Sequence, residues 1–394
     1  VILDATYETR TGIEYAAYLG MDGDEFIFSE LDDTVDEWYP GTIAEVTEPA
    51  IARQFRISNL ITYPVQVNAF RQEVRVYSDI HVDIQYGGRG ENELESYPTA
   101  LSASYISLYE DFLDWETDEL DDFEIYTGSV QVVAKNAAIA AMSDWIEWKR
   151  QKGYKLDLIT EDDVNWTSNG IKAALQYQWD NSDYKFDWVV VVGDSNGPYS
   201  TPAGHGRGDH HYVKLAGNDE FPEAGIGRIS VTSQQDLQAY QNKVIYYERD
   251  PNMDDTDWYK RGMAAAGSSA SGISTIYLGR YARHAMLDHG YTQVDTAWFT
   301  DGSTQWVNNQ IELSVETGVS FFSYRGYAGT GLSNNRINGL GNYFMLPMVL
   351  TITCLEGDWV GSTSKSEAWM RAGTVNEPAG GIGSIATATA GTNT

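Results

Sequence analysis

The chain of 394 residues is 42% apolar, enough to bury real cores, and is too long for one ordinary domain. Its 26 basic and 57 acidic residues leave a net charge of −31, a surface that repels phosphate backbones, excludes nucleic acid as a partner and attracts cations. No run approaches the ~18 uninterrupted apolar residues of a membrane span, and the lone cysteine, Cys354, rules out an internal disulfide.

The numbering opens at Val1-Ile2-Leu3 with no basic segment ahead of an apolar one, so any signal peptide is expected to be absent from it. Residues 1–95 read as a small all-β domain. Val74, Val76, Ile80, Val82 and Ile84 alternate with Arg75, Tyr77, Asp79, His81 and Asp83, the period of a half-buried antiparallel strand. Residues 65–70 are its expected hairpin partner, and Gly87-Gly88-Arg89-Gly90 ends the pattern. Residues 96–127 read as an acidic linker, with nine carboxylates and no basic residue between Glu110 and Glu124.

From residue 128 to 394 strands and helices alternate. Strands are expected near residues 130–134, 156–160, 187–194, 262–266, 319–324, 349–353 and 381–386. Helices are expected near residues 139–149, 171–179, 234–247, 273–287 and 304–315. The run Trp188-Val189-Val190-Val191-Val192 is apolar on both faces, as a central parallel strand must be. The fold class is therefore α/β, a doubly wound and mostly parallel sheet, in which ligands bind beyond the carboxyl ends of the strands.

Two strand ends carry candidate chemistry. Residues 321–324 run into Arg325-Gly326-Tyr327-Ala328-Gly329, and residues 350–353 run into Cys354-Leu355-Glu356-Gly357-Asp358. A lone cysteine is usually a small core residue. Here it closes an apolar strand and opens a Gly-containing turn, where a thiolate meets backbone N–H donors and substrate. The loop holding His205, Asp209, His210 and His211 matches no standard zinc spacing and reads first as a polar rim. Calcium suits the chain better, with Asp209, Asn218, Asp219 and Glu223 as oxygen ligands of a structural ion.

Several segments, taken in order, resemble the gingipain-like cysteine peptidases, a bacterial family of caspase-like fold. They are Trp145-Ile146-Glu147-Trp148-Lys149 through Lys155, Val191-Val192-Gly193-Asp194, Asp219-Glu220-Phe221-Pro222-Glu223 and Gly225-Ile226-Gly227-Arg228. The hairpin of residues 65–84 is similar to the β-rich prosegment that packs on the catalytic domain in family precursors. The resemblance implies a secreted or cell-surface peptidase acting on polypeptides, made as a zymogen and stabilised by calcium. It also implies a Cys–His dyad on neighbouring strand ends, with Cys354 as nucleophile and Gly326 in the oxyanion region.

The family's histidine position falls on Tyr327, and a phenol of pKa ~10 is a poor base at neutral pH. Three readings stay open. His210 or His211 supplies the imidazole; or the base comes from residues 387–394, where Asn393 stands; or the protein is a catalytically impaired homologue serving as a calcium-stabilised binding module. A metal-dependent hydrolase built on the histidine loop is a further competitor. Arginine-specific relatives place an acid after the strand matching residues 262–266, whereas Ser268 and Ser269 stand in a loop with no acid here, so a strict basic preference is not expected. Glu356, Thr387, Thr389 and Asn393 complete the expected substrate-binding set. Family catalytic domains continue past the strand of residues 381–386, so the chain is expected to be a fragment or processed form, or to have its remainder in a separate chain.

Overall fold

The computed structural model describes residues 2–12, 18–22, 25–28, 34–85, 87, 90–94, 98–113, 122–267, 272–327 and 331–390. The chain forms two compact units, residues 1–98 with 216–223, and residues 99–215 with 224–394.

The first unit is antiparallel β. Its main sheet has Glu73–Val82 at the centre, flanked by Ile2–Thr11 and Val65–Asn68. Val65 faces Val76 and Val67 faces Val74, so the expected hairpin is present. The long strand Ile2–Thr11 is an addition; its alternating Ala5, Tyr7 and Thr9 are too weakly apolar to announce it. The segment of residues 216–223 is held here by polar bonds: Asp219 accepts the Ile51 N–H at 2.8 Å, and Arg53 donates to the Glu223 carbonyl at 2.7 Å.

The second unit begins inside the stretch read as a linker. Ala100–Ser102 and Glu124–Tyr126 pair in parallel, with a helix Ile106–Leu113 between them; residues 114–121, most of the acidic run, lie outside the described residues.

Two parallel sheets follow. The first is built from β1 (Ser129–Val133), β2 (Lys155–Ile159), β3 (Trp188–Val192) and β4 (Gly225–Ile229), in the spatial order β2-β1-β3-β4. Helices α1 (Asn136–Ala141), α2 (Ser143–Gln151), α3 (Ser168–Asp180) and α4 (Gln234–Glu248) connect and cover it. Val130, Val132, Met142, Trp145, Leu237 and Val244 form one core layer, and Val133, Val189, Val191, Ile171 and Leu175 the opposite one. Val189 and Val191 on one face of β3 and Val192 on the other are buried, which is why the run is apolar, while Trp188 at its start stays exposed.

The second sheet comprises β5 (Arg261–Gly267), β6 (Gln293–Trp298), β7 (Phe321–Gly326), β8 (Met348–Ile352) and β9 (Gly383–Ala386), ordered β6-β5-β7-β8-β9. Helix α5 (Ser274–Asp288) covers one face, where Ala264, Ala266, Ile276, Met286 and Trp298 pack. Helices α6 (Thr304–Thr317), α7 (Asn334–Asn338) and α8 (Lys365–Arg371) cover the other, around Phe322, Tyr324, Ile311 and Trp369. The chain reverses its direction of travel between β5 and β7, so the crevice at their carboxyl ends is the switch point of this sheet.

One buried charge in this framework predicts a pH response. Lys243 on α4 has no exposed surface, donates from Nζ to the Met370 carbonyl in the last turn of α8 at 2.8 Å, and has its pKa pushed down to about 7 by burial. Below that value both folded and unfolded chains keep the proton, and the folded state bears the full desolvation cost. Between about 7 and the ordinary 10.5 only the unfolded chain keeps it, so stability rises with pH across that window. Urea unfolding of wild type and Lys243→Met at pH 7 and pH 9 is expected to show wild type gaining on the variant as pH rises. A constant difference would contradict the assignment.

Candidate active site

Cys354 follows β8 by two residues and is half-buried with no disulfide. The next residue, Leu355, has φ +62°, a left-handed conformation that an L side chain adopts at a cost of about 1 kcal/mol. Several bonds hold this turn in place. The N–H groups of Leu355 and Gly357 donate to the carbonyls of Thr389 and Thr387 at 3.2 and 2.9 Å, and the Thr387 hydroxyl donates to the Thr353 carbonyl. Those two N–H groups are therefore committed and cannot hold an oxyanion without breaking this ladder. The Thr353 hydroxyl donates to the Gly326 carbonyl at 2.7 Å, tying the Cys354 strand end to that of β7. Gly326 has to be glycine, since a Cβ there would lie 2.3 Å from Tyr324 Oη and 2.7 Å from the Gly267 carbonyl. Tyr327 follows it, with 54% of its surface exposed.

The histidine loop reaches the same edge. Arg228, one residue from the end of β4, is almost fully buried and uses all five of its N–H donors. It grips Asp209 through two bonds of 2.7 Å and donates to the carbonyls of Gly193, Thr201 and Pro202 at 2.7–2.9 Å. Its guanidinium face lies 3.7 Å from the Trp359 ring centre, and Arg207 pairs with Asp358. Gly193, at φ +113°, ends β3 where a Cβ would strike the Tyr199 carbonyl at 1.8 Å. The loops after β3 and β8 are thus fastened to each other. His210 lines the resulting cleft, about 340 Å³, with Gly357, Trp359, Ala386 and Ala388. His205 and His211 stand with ring centres 6.2 Å apart, and burial, then Lys172, holds the His211 pKa below the usual imidazole value.

Helix α8 supports the turn that carries Cys354. Ser364 and Glu367 form a capping box at its start, and the Ser366 N–H donates to the Glu356 carbonyl at 3.0 Å. Lys365 pairs with the Glu356 carboxylate at 2.6 Å. Arg371 joins Asp194, Glu367 and Ser230 at 2.7–3.2 Å, linking α8 to the ends of β3 and β4. Burial raises the pKa values of Glu356 and Glu367, opposed by Lys365 in the first case and chiefly by Ser230 in the second.

Other expected residues fall differently. Glu356 is only 4% exposed and pairs with Lys365, which ties the turn to α8. Thr387 and Thr389 flank the turn, and their backbone carbonyls receive its N–H groups. Ser268, Ser269 and Asn393 lie outside the described residues. The four expected calcium ligands divide between the two units. Asp209 belongs to the second unit and is neutralised by Arg228, while Asn218, Asp219 and Glu223 belong to the first. Asp219 accepts from the N–H groups of Ile51 and Phe221 and from Asn92, and Glu223 accepts the Ala216 N–H. Among the described residues no group of three or more His, Cys, Asp or Glu side chains is arranged to hold a metal.

Sequence reasoning missed the roles of Arg228, Arg371 and Lys365. Arg228 stood in a quoted motif, but its partners lie 19 to 35 residues away and those of Arg371 up to 177, beyond any local pattern. The Glu356–Lys365 pair yields a direct test. Lys365→Met strands a buried carboxylate and is expected to cost about 2 kcal/mol in urea unfolding. Lys365→Met/Glu356→Gln recovers most of that loss; additive losses would contradict the pairing.

Comparisons with known proteins agree with this geometry. The sequence model for Peptidase family C25 matches residues 126–394, and that for the C25 propeptide matches residues 20–111. Gingipain R2 of Porphyromonas gingivalis is 25% identical over 368 residues, 89% of this chain and 49% of the relative. Lys-gingipain of the same organism is 26% identical over 318 residues, 74% of this chain and 18% of the relative. The chain thus spans about half the length of gingipain R2 and less of Lys-gingipain. The fold matches the crystal structure of the Arg-specific cysteine proteinase gingipain R with a TM-score of 0.59 at 24% identity, over 66% of this chain and 62% of that one. It matches the complex of the RgpB pro- and mature domains from P. gingivalis with a TM-score of 0.60 at 24% identity, over 67% of this chain and 65% of that one. The chain belongs to peptidase family C25, the gingipain-like cysteine peptidases of caspase-like fold, and carries the family's propeptide region ahead of its peptidase domain.

Proposed function

We propose that the chain is an exported cysteine endopeptidase, made as a zymogen, that hydrolyses polypeptides through Cys354. The observation that carries this reading is the position of Cys354. It lies beyond the carboxyl end of a central parallel strand, on a turn fixed by Leu355 and the Thr387–Thr389 ladder. His210, on the loop clamped to that turn, is the imidazole we assign as base in place of Tyr327. In this mechanism the imidazole takes the thiol proton, and the thiolate attacks the scissile carbonyl. The amine leaves with the proton returned by the imidazolium, and water then hydrolyses the acyl-enzyme. The family and the propeptide match support export and the zymogen state.

A second reading, a catalytically impaired homologue acting as a binding module, draws support from the exposed phenol of Tyr327 at the family's histidine position. One assay separates the two. The full chain, first nicked with trypsin to release the propeptide region and then freed of trypsin with a specific inhibitor, is incubated with a denatured protein substrate alongside Cys354→Ala, His210→Ala and Tyr327→His treated in the same way. The active reading expects cleavage by wild type, none by Cys354→Ala, and a loss on the order of 10²- to 10⁴-fold in His210→Ala. Cleavage by Tyr327→His with an inert wild type would establish the impaired homologue. Inert protein in every case would remove the peptidase reading.

A further inference from the structure

We infer that the cleft beside the Cys354 turn is a subsite for an uncharged carboxamide side chain, so that the peptidase selects substrates with glutamine close to the cut. This deepens the peptidase reading and rests on it. The cleft, about 340 Å³, is lined by Gly357 of the Cys354 turn and by His210. Gly357 is three residues from Cys354, at most ~11 Å along a fully extended chain, so the cleft lies within about three substrate residues of the reacting carbonyl. Its side walls are β4 at residues 226–228 and β9 at residues 384–386, each the last strand of its sheet. Among the described residues neither strand has a partner strand on its outer edge, and such an edge is a template for an extended chain.

The arginines and carboxylates of the lining are already matched. Arg228 spends all five of its donors, two of them on Asp209. Glu367 accepts from Ser230 and Arg371 on one carboxylate oxygen and from Ser364 on the other. Arg207 pairs with Asp358. The two arginines of the lining, Arg207 and Arg228, thus cancel its two carboxylates, Asp209 and Glu367, which leaves a balanced patch on a chain of net charge −31. A lysine, arginine or glutamate side chain entering this space would lose its water without gaining a counter-charge.

Two hydroxyls are left to read a polar tip. Ser384 on β9 donates to Ser366 on α8 at 2.9 Å, and both line the cleft. Whichever hydroxyl donates to the other, the pair keeps one O–H and open lone pairs to offer. A carboxamide matches both, because its carbonyl accepts the O–H while its NH2 donates to a lone pair. Ile226, Met370, Ile385 and Ala386 add apolar surface to the same lining, which suits the two methylenes of glutamine. Leucine brings the apolar stem without the tip, and leaves the hydroxyl pair unanswered.

The test uses the full chain, nicked with trypsin and freed of it as in the cleavage assay, with internally quenched peptides. Gln, Glu, Lys and Leu are compared one position at a time over the three residues on each side of the cut. Wild type is expected to favour Gln over both Leu and Glu at one position, on the order of 10-fold in kcat/KM. That ratio falls toward one in Ser366→Ala/Ser384→Ala, with melting curves confirming that the variant is folded. A merely structural loss would slow every peptide alike and leave the ratio unchanged. No preference for Gln at any position, or one that survives in the double variant, overturns the subsite and leaves the peptidase reading standing. If no peptide is cut, the peptidase reading fails, and binding of fluorescein-labelled alanine-rich peptides carrying one Gln, Glu or Leu to Cys354→Ala decides the cleft. Binding of the Gln peptide at least tenfold tighter than the others, lost when Ser366→Ala/Ser384→Ala is added, upholds it; equal binding refutes it.

Discussion

The candidate site depends on one guanidinium. Arg228 lies near the end of an edge strand, yet it donates to the carboxylate of Asp209 and the carbonyls of three residues that follow β3, and it stacks on Trp359 beyond the Cys354 turn. Burying an arginine this deeply is unfavourable unless every donor is used, and here each one is. The same bonds that satisfy the charge fix the loop carrying His210 against the segment that follows Cys354. Removing the guanidinium would leave Asp209 buried and uncompensated and would release both loops together.

A second set of bonds does for the turn what Arg228 does for the loop. Lys365, Ser366 and the capping box of α8 hold Glu356, while the Thr387–Thr389 backbone holds Leu355 and Gly357. A left-handed leucine persists only where its surroundings over-determine it, and these bonds supply that constraint. The cysteine is thus presented by a rigid frame whose parts come from three different elements.

Much of this was legible in the sequence, for physical reasons. The continuous apolar run of Trp188–Val192 required a sheet buried on both faces, and the strand-then-turn pattern around Cys354 marked the carboxyl edge. Alternation in residues 74–84 revealed one strand of the N-terminal sheet, but Ile2–Thr11 lacked the apolar contrast to reveal its partner. The acidic stretch looked like a connector because charge hides the pairing of Ala100–Ser102 with Glu124–Tyr126, a contact set by the fold and not by local pattern. Asp209, Asp219 and Glu356 read as metal or substrate groups; the arginine, lysine and backbone N–H partners they have in the folded chain could not be read from the sequence, because only the fold brings them close.

The central claim is that the fold turns the lone thiol into a nucleophile directed at a peptide carbonyl. Labelling of Cys354 by a peptidyl acyloxymethyl ketone, followed by mass spectrometry of the folded and the urea-unfolded chain, addresses it most directly. Such a reagent needs both an activated thiolate and a seated peptide. The account predicts stoichiometric and much faster labelling of Cys354 in the folded chain; labelling no faster than in the unfolded chain would contradict it.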